Sequence, residues 1–321
     1  MMLTGTRKPA LIIASMLLLM GGAKMTSAQV TVKRITYNGW EGAYRLANKT
    51  TELVFVPQIG RIMRYGLIGG ANLLWNNRAL DGKTTDLVHL PKDWQNYGGD
   101  KCWPAPQARW GWPPDPTLDS GRQSLKVTKQ KHLRIVGQPS RKEKVQFVRE
   151  IALDAEGSGV TIENTLINVS DKPNTWAVWE VAQTDNPDLI RLPLCKTGHF
   201  ESGFYVFGDA QPTPVPDNVT VEGDEIHVRL DPKHASKIGN DSPLGWIVAE
   251  KDGTRFEVSQ RVEAGKPYPD SGCALEIYTN DGPAAYVELE LLGPLTSLTP
   301  KARVSLTTRW RLVSPSAAGR A

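Results

Sequence analysis

The chain has 321 residues, of which 40% are hydrophobic and 22% are charged, and this composition excludes a disordered chain because it supplies a sizeable core. Its net charge is only +4 and it contains no run of five or more basic residues, so it gives no sign of nucleic-acid binding. The 23 Pro and 29 Gly supply frequent turns with few long helical patterns between them, which favours an all-β chain.

Residues 1–28 are predicted to be a secretory signal peptide. A basic start precedes the apolar run Ala10–Met20, which is shorter than the about 20 apolar residues that span a membrane. Small residues follow at 26–28, so cleavage is expected after Ala28, with 21–23 as an alternative site. The mature chain is therefore expected to be exported, to the periplasm or outside the cell, and to carry no membrane segment.

Export changes how the charge and the cysteines are interpreted. Removing residues 1–28 would take away three basic residues and no acidic one, so the net charge would fall from +4 to +1. Cys102, Cys195 and Cys273 are far apart and cannot all pair, which leaves one disulfide with a free thiol, or three buried thiols, both open. No C-x-x-C spacing and no cluster of metal-ligating residues occurs, so no metal and no cofactor is predicted.

Short strand patterns follow one another from Val30 onward. Val145–Ile151 alternates strictly between apolar and polar residues, which indicates a half-buried strand. Many strands at such spacing predict a sandwich or a barrel, and no linker divides residues 29–313, so one large β-sandwich domain is expected with a frayed tail at 314–321. The other strand patterns are Glu52–Val56, Gly60–Leu67, Val160–Val169, Thr175–Ala182, Ala274–Thr279, Ala285–Leu292 and Val304–Val313.

One long segment, residues 76–122, has little strand pattern and is rich in aromatic residues and proline. It carries Trp94, Tyr97, Trp103, Trp110 and Trp112. Long loops in compact domains are usually functional or disordered, and five aromatic residues argue against disorder. The segment is therefore predicted to belong to a functional site.

Several segments, taken in order, resemble the galactose mutarotase-like (aldose 1-epimerase) superfamily. The resemblance implies a very large antiparallel β-sandwich that binds sugars on one concave face, with Glu276 as the catalytic glutamate. The segments are Val54–Ile62, Asn72–Trp75, Asn168–Pro173, Gly272–Glu276, Leu298–Pro300 and Thr307–Trp310.

Two further segments, Asn96–Gln107 and Thr175–Glu180, resemble an uncharacterised exported bacterial branch of that superfamily, a domain-of-unknown-function family. Residues Lys237–Asn240 resemble a loop near the sugar site in this branch. The two histidines of an aldose epimerase are missing, because the loop reads Gly98-Gly99-Asp100-Lys101 and the strand reads Trp179-Glu180-Val181. The resemblance therefore implies the fold and a sugar site more directly than the epimerase reaction.

Four residues are candidates for acid–base chemistry on a sugar. Glu276 could be a base, or a solvated strand residue or a structural partner of an arginine. Glu180 lies on an apolar strand, and with Glu276 it could form the two-carboxylate arrangement of glycoside hydrolysis. Asp100 could form an acid–base pair with Lys101, or a salt bridge that holds the loop. His199 is the best placed imidazole, or a surface or core histidine.

Aromatic and amide side chains are candidates for sugar binding, because aromatic faces match the apolar faces of a pyranose. Trp176 and Trp179 are three residues apart on a strand, so they face opposite sides and at most one lines the site. Glu288 and Glu290 share the polar face of a strand and are interpreted as structural. The candidate binding residues are Asn96, Lys101, Trp103, Gln107, Arg109, Trp112 and Trp179.

These observations predict an exported carbohydrate-binding protein whose partner is a sugar and whose site is built from the 94–112 loop, the Trp176–Glu180 strand and Glu276. One alternative is a carbohydrate-active enzyme that uses Glu276, either an aldose 1-epimerase or a lyase or hydrolase. Another alternative is a non-catalytic envelope interaction protein, which would have a shallow, featureless concave face and an exposed apolar patch elsewhere.

Overall fold

A computed structural model describes residues 1, 29–209, 211–282, 284 and 286–313. The predicted signal segment beyond residue 1 and the tail 314–321 lie outside the described residues. Across the described part, no helix is long and apolar enough to cross a membrane.

The described chain is built almost entirely of antiparallel strands. The single α-helix of the described part, α1, is short (Pro116–Asp119), and one-turn 3-10 helices occur at Arg78–Leu80, Gln107–Arg109 and Asp270–Gly272. The strands are β1 (Thr31–Tyr37), β2 (Trp40–Ala47), β3 (Thr51–Val56), β4 (Arg61–Leu67), β5 (Asp100–Ala105), β6 (Ser124–Val127), β7 (Leu133–Val136), β8 (Val145–Leu153), β9 (Val160–Asn168), β10 (Asn174–Asp185), β11 (Leu189–Pro193), β12 (Tyr205–Val206), β13 (Val219–Glu222), β14 (Glu225–Val228), β15 (Ser236–Asn240), β16 (Trp246–Lys251), β17 (Thr254–Gln260), β18 (Leu275–Thr279), β19 (Tyr286–Leu292), β20 (Thr296–Leu298) and β21 (Arg303–Val313).

The strands form three sheets. Strands β1 to β4 make a four-stranded meander, and a ten-stranded sheet has the order β13-β14-β11-β16-β17-β21-β9-β8-β7-β6. A seven-stranded sheet has the order β12-β15-β18-β19-β10-β20, with β5 paired to the other edge of β10. Strand β10 packs against β9 and β21 of the ten-stranded sheet. This is the large antiparallel β-sandwich that the sequence predicted.

The main core lies between the large sheets and extends to the meander. It includes Leu53 from the meander, Ile162 and Trp310 from the ten-stranded sheet, and Leu289 from the seven-stranded sheet. The strand predicted at Val145–Ile151 lies within β8, where buried and half-buried residues alternate along the whole strand. That alternation arises because one face of the strand meets the core and the other meets solvent.

Strand β5 lies inside the segment that the sequence predicted to have little strand structure. All six of its residues are buried, including Asp100 and Lys101, so they do not alternate in polarity as a half-buried strand does. It also contains Pro104, which a central strand does not tolerate. Strand β5 pairs with β10 alone among the named strands, and this edge position accommodates the proline.

Candidate functional site

The seven-stranded sheet carries a cleft of about 610 Å³ on the face turned away from the core. Register explains which side chains reach it. Glu288 and Glu290 point to the cleft, whereas their neighbours Val287, Leu289 and Leu291 point to the core. All seven residues of β19 are buried, since one face of this strand meets the core and the other forms the cleft floor.

Tryptophans form one wall of the cleft. The ring centroids of Trp94 and Trp112 are 4.9 Å apart, and those of Trp103 and Trp179 are 5.2 Å apart. Trp112 is 56% exposed, so one large aromatic surface remains open to solvent at the cleft. Register places Trp103 opposite Trp179, which brings both side chains to the same face of the sheet.

A buried carboxylate holds this wall in place. Asp119, at the end of α1, accepts hydrogen bonds from Trp94 Nε1 and Trp103 Nε1, both at 3.0 Å. Its other partner is Arg61, whose Nη2 lies 2.7 Å from Asp119 Oδ1. Arg61 also donates to the carbonyl oxygen of Gly98 at 3.0 Å. One ion pair therefore joins the tryptophan wall to the turn that precedes β5.

A second aromatic pair borders the cleft at the start of β19. The rings of Trp75 and Tyr286 lie 4.7 Å apart with an interplanar angle of 36°. Trp75 is held by the edge of the seven-stranded sheet, because its N–H donates to the Gln183 carbonyl and its own carbonyl accepts from Gly99. Four amides also line the cleft, from Asn77, Asn96, Gln107 and Asn280.

Two ion-pair groups form the cleft floor. In the first, Lys101 Nζ lies 2.6 Å from Glu288 Oε1, which also accepts from Gln183 Nε2 at 2.8 Å. The same ammonium lies 4.9 Å from the ring centroid of Trp94 and 4.6 Å from that of Trp103, which are cation–π distances. Burial lowers the pKa of Lys101, and the Glu288 carboxylate only partly offsets this.

In the second group, Lys237 Nζ lies 2.6 Å from Glu276 Oε2 and 3.1 Å from Glu290 Oε2. Trp179 Nε1 also donates to Glu290 Oε2, at 2.8 Å. No N–H or hydroxyl donor of the described residues bonds to Oε1 of either glutamate. Glu290 and Lys237 line the cleft, whereas Glu276 has no exposed surface.

The protonation states in this group are tightly linked. Burial alone would lower the pKa of Lys237, but the negative charges of Glu276 and Glu290 outweigh the effect of burial, so the pKa of the ammonium is raised. Burial also raises the pKa of Glu276 well above its usual value despite the opposing charge of Lys237, and it raises that of Glu290. A proton held between these two carboxyl groups would avoid placing two negative charges side by side.

The structure places Asp100 and Glu180 on the opposite face of the sheet from the cleft. Glu180 accepts hydrogen bonds from Trp310 Nε1 at 2.9 Å and Thr308 Oγ1 at 2.8 Å, and burial raises its pKa to about 7. Asp100 pairs with the buried Arg149. Glu276 and Glu180 therefore do not form the two-carboxylate arrangement, because successive side chains of β10 alternate in direction.

His199 and Arg109 also lie outside the cleft. His199 Nδ1 is 3.0 Å from Asp241 Oδ2, and the imidazole lines a separate surface cleft of about 510 Å³. Arg109 lies 4.1 Å from the ring centroid of Trp176, which is buried and does not line the cleft. As the strand spacing predicted, Trp176 and Trp179 face opposite sides. Of the sequence-predicted binding residues, the cleft gathers Asn96, Trp103, Gln107, Trp112 and Trp179, with Lys101 buried in its floor.

Several cleft residues were missed or interpreted differently in the sequence. Glu288 and Glu290 had been interpreted as structural, yet both belong to the floor. Their position on the polar face of an otherwise apolar strand was a usable signal, since carboxylates on a buried strand need partners that satisfy their charge. Trp75, Asn77, Tyr278, Asn280 and Tyr286 gave no local signal, because distant pairings bring them to the cleft.

The three cysteines are buried and free, which answers the pairing question left open by the sequence. Within the described ranges, no group of three or more His, Cys, Asp or Glu side chains is arranged to hold a metal ion. The lining of the cleft offers aromatic rings, amide groups and buried carboxyl groups.

Comparisons with known proteins agree with this fold. A sequence model of one family, described as "Domain of unknown function (DUF4380)", matches residues 43–313. No curated protein matches the chain. Similar solved structures include galactose mutarotase-like proteins from Clostridium acetobutylicum (TM-score 0.58, 10% identity, 90% of this chain and 100% of that chain) and Lactobacillus casei (TM-score 0.57, 11% identity, 85% and 100%).

A TPR-domain containing protein from Parabacteroides distasonis is also similar (TM-score 0.56, 14% identity), over 87% of this chain and 50% of that chain. The chain therefore spans half the length of that protein and the full length of the two mutarotase-like proteins. At these identities the likeness shows the fold alone.

Proposed function

Because the chain belongs to the DUF4380 family and has a galactose mutarotase-like β-sandwich, we propose that it binds a carbohydrate in the cleft of its seven-stranded sheet. The fold supports a carbohydrate-related role, and the lining of the cleft carries the finer proposal. Aromatic faces such as that of Trp112 match the apolar faces of a pyranose, and the four amides match its hydroxyl groups.

The floor favours an uncharged sugar. Lys101 and Glu288 form one neutral pair, and Lys237 with Glu290 forms a second. Glu276 is a further carboxyl group beside Lys237, and burial raises its pKa well above the usual value, so it adds no cation to the floor. An added carboxylate or sulfate group would therefore enter a buried site without an unpaired cation to receive it.

A titration experiment tests this proposal. Calorimetric titration with neutral monosaccharides and oligosaccharides should show binding, whereas glucuronate should bind more weakly than glucose. Trp112→Ala should lower the affinity roughly tenfold, as expected for the loss of an aromatic anchor worth about 1.4 kcal/mol. Trp246→Ala, at the start of β16 in the ten-stranded sheet, is the matched control and should bind normally.

Absence of binding for every sugar, or full affinity in Trp112→Ala, would count against the proposal. The alternative of an envelope interaction protein predicted a shallow, featureless face, and the cleft of about 610 Å³ does not fit that expectation.

Acid–base catalysis on the bound sugar is a second candidate function. The observation that favours it is the pair Glu276 and Glu290, which share a contact with Lys237 and whose pKa values are raised by burial, as is common for carboxyl groups that transfer protons. Glu290 reaches the cleft directly, whereas Glu276 could exchange protons through Glu290 or after a movement of Lys237.

Polarimetry on fresh α-glucose and α-galactose tests for epimerase activity, and release of reducing or unsaturated ends from oligosaccharides tests for hydrolase or lyase activity. We expect Glu276→Gln and Glu290→Gln to lower any such rate while sugar binding persists. A rate that both variants leave unchanged would remove these carboxyl groups from the reaction.

We also propose that the mature protein is exported, to the periplasm or outside the cell, because residues 1–28 have the composition of a signal peptide. Cell fractionation followed by N-terminal sequencing should recover an exported chain that begins at Gln29. A cytoplasmic chain that retains residues 1–28 would contradict this proposal.

A further inference from the structure

The cleft has an aromatic group near each end of β19, and each group has one accessible ring, from half-buried Trp75 and from Trp112, which is 56% exposed. The other rings of the two groups, Tyr286, Trp103 and Trp179, are buried. We call Trp75 and Tyr286 the tyrosine platform, and Trp103, Trp112 and Trp179 the tryptophan platform. Within the tyrosine platform the rings are 4.7 Å apart. Within the tryptophan platform, the Trp103 ring lies 6.4 Å from that of Trp112 and 5.2 Å from that of Trp179.

Strand register separates the two platforms. Trp103 pairs with Trp179, and Trp179 pairs with Leu292, the last residue of β19. Tyr286 is the first residue of the same strand. The six residue steps from Tyr286 to Leu292 span about 20 Å of an antiparallel strand. This separation of the two platforms along the backbone is much longer than one pyranose ring, which is about the size of one indole.

The charged floor lies between the platforms. Glu288 and Glu290 occupy the middle of β19, with Lys237 beside Glu290 and Lys101 beside Glu288. A ligand that contacts both platforms must therefore cross hydrogen-bonding groups, which suits the hydroxyls between two rings of a sugar chain. A single ring on one platform would leave the other platform and part of the floor in contact with water.

The volume of the cleft agrees with a longer ligand. About 610 Å³ lies in the middle of the range of about 300–1,000 Å³ that is typical of pockets for drug-sized molecules, which are larger than one monosaccharide. Since a water molecule takes about 30 Å³ of liquid, one ring alone would leave room for many water molecules.

We propose that the cleft binds an oligosaccharide of at least two sugar units along β19, with one ring on the tyrosine platform and another on the tryptophan platform. This inference rests on the proposed function of carbohydrate binding, and it specifies the class of ligand. In this arrangement the oligosaccharide leaves the cleft toward solvent at Trp112, which is 56% exposed.

A chain-length series tests the inference. The protein is titrated calorimetrically with glucose, cellobiose, cellotriose and cellotetraose. Four further series of the same lengths are built from maltose-type glucose, mannose, xylose and N-acetylglucosamine units. In the series that binds, affinity should rise at least roughly tenfold between the monosaccharide and the oligomer that reaches both platforms, and then level off.

Variants at each platform sharpen the test. Trp75→Ala and Trp112→Ala should each lower affinity for the trisaccharide roughly tenfold. A monosaccharide occupies one platform and should respond to only one of these two variants. Trp246→Ala, outside the cleft, should leave both affinities unchanged. If thermal melting shows that Trp75→Ala is unfolded, Tyr286→Leu replaces it as the variant of the tyrosine platform.

Each result separates this inference from the function on which it rests. Equal affinity for monosaccharide and trisaccharide, or a trisaccharide affinity that responds to one platform only, overturns the oligosaccharide inference and leaves carbohydrate binding in place. Failure of every sugar in every series to bind overturns carbohydrate binding itself.

Discussion

Asp119 shows how a single buried residue shapes the cleft. It is 3% exposed, and its Oδ2 accepts the indole N–H of Trp94, whereas its Oδ1 accepts the indole N–H of Trp103 and pairs with Arg61. Because a bare carboxylate is costly to bury, each partner is needed to satisfy the charge. The same contacts fix the orientation of two aromatic rings before any ligand arrives.

Replacement of Asp119 by asparagine should therefore destabilise the protein. Arg61 would lose its ionic partner while both side chains remain buried, and we expect the free energy of unfolding to fall by about 3 kcal/mol. Asp224→Asn is the control, because both side chains of the Lys196–Asp224 pair are largely exposed and the loss of unfolding free energy should be far smaller. Urea denaturation measures both variants, and equal losses would contradict the assignment.

Glu180 gives a prediction about pH. Its pKa is about 7 in the folded protein because of burial, and lower when unfolded, so the folded state holds an extra proton between these values. The protonated Glu180 contributes all of its stabilisation at a pH below the pKa that it has in the unfolded chain. This stabilisation is lost as the pH rises toward the pKa of about 7 that Glu180 has in the folded protein. At 1.36 kcal/mol per pKa unit, the loss amounts to roughly 3 kcal/mol.

Glu180→Gln should remove this pH dependence. Stability of the wild type relative to the variant should decline from pH 4.5 to pH 7.5, as measured by denaturant unfolding across that range. Glu163→Gln, an exposed position on β9, serves as the control and should run parallel to the wild type. If the difference in unfolding free energy between the wild type and Glu180→Gln stays constant from pH 4.5 to pH 7.5, the carboxyl group does not titrate in this range and the prediction is wrong.

At the scale of elements, strand β5 depends on the turn before it. Gly98 has a φ of +87°, and a Cβ atom placed there would lie 2.3 Å from the Trp75 carbonyl oxygen. Only glycine combines this backbone conformation with so close an approach. The turn thereby sets the register that carries Lys101 and Trp103 to the cleft.

Gly98→Ala should destabilise the fold more than Gly111→Ala does. Gly111 also has a positive φ, +70°, but no atom lies within 4 Å of a Cβ added there. Gly111→Ala therefore loses only the free energy of placing alanine at a positive φ, about 1–2 kcal/mol. For Gly98→Ala we expect that cost plus a steric cost, and hence a clearly larger loss of unfolding free energy. Chemical denaturation of both variants provides the measurement, and equal losses would contradict the steric argument.

The elements differ in how far the sequence predicts them. Strand β8 was evident in the sequence because apolar and polar residues alternate along it, since one face meets the core and the other meets solvent. Strand β5 was hidden because both of its faces are buried and because it holds Pro104. Lys237 and Glu290 come together through the register of β15, β18 and β19, a long-range pairing that no local pattern contains.

At the scale of the whole molecule, the fold was predictable because matching segments follow one another in order along most of the chain. The role of each candidate residue was less predictable, because a one-residue shift on a strand reverses the face of the sheet. Glu180 and Trp179 are neighbours in sequence, yet one belongs to the core and the other to the cleft.

The described fold holds together without a disulfide bond. Cys102, Cys195 and Cys273 are buried free thiols, and burial raises the pKa of each of them. The thermal midpoint should therefore be unchanged by dithiothreitol, and the native protein should react only slowly with Ellman's reagent. Ser124→Cys, at an exposed site, should add one fast thiol as a positive control. A midpoint that falls in reductant would contradict the free-thiol state.

Strand β19 also has an evolutionary consequence. It is buried along its whole length, since its apolar face belongs to the core and its acidic face forms the cleft floor. Few substitutions on this strand could be neutral, because each one alters either folding or the floor. Divergence in ligand preference among related chains should therefore accumulate at the rim, in the segments that carry Trp75 and Trp112, while the strand itself changes slowly.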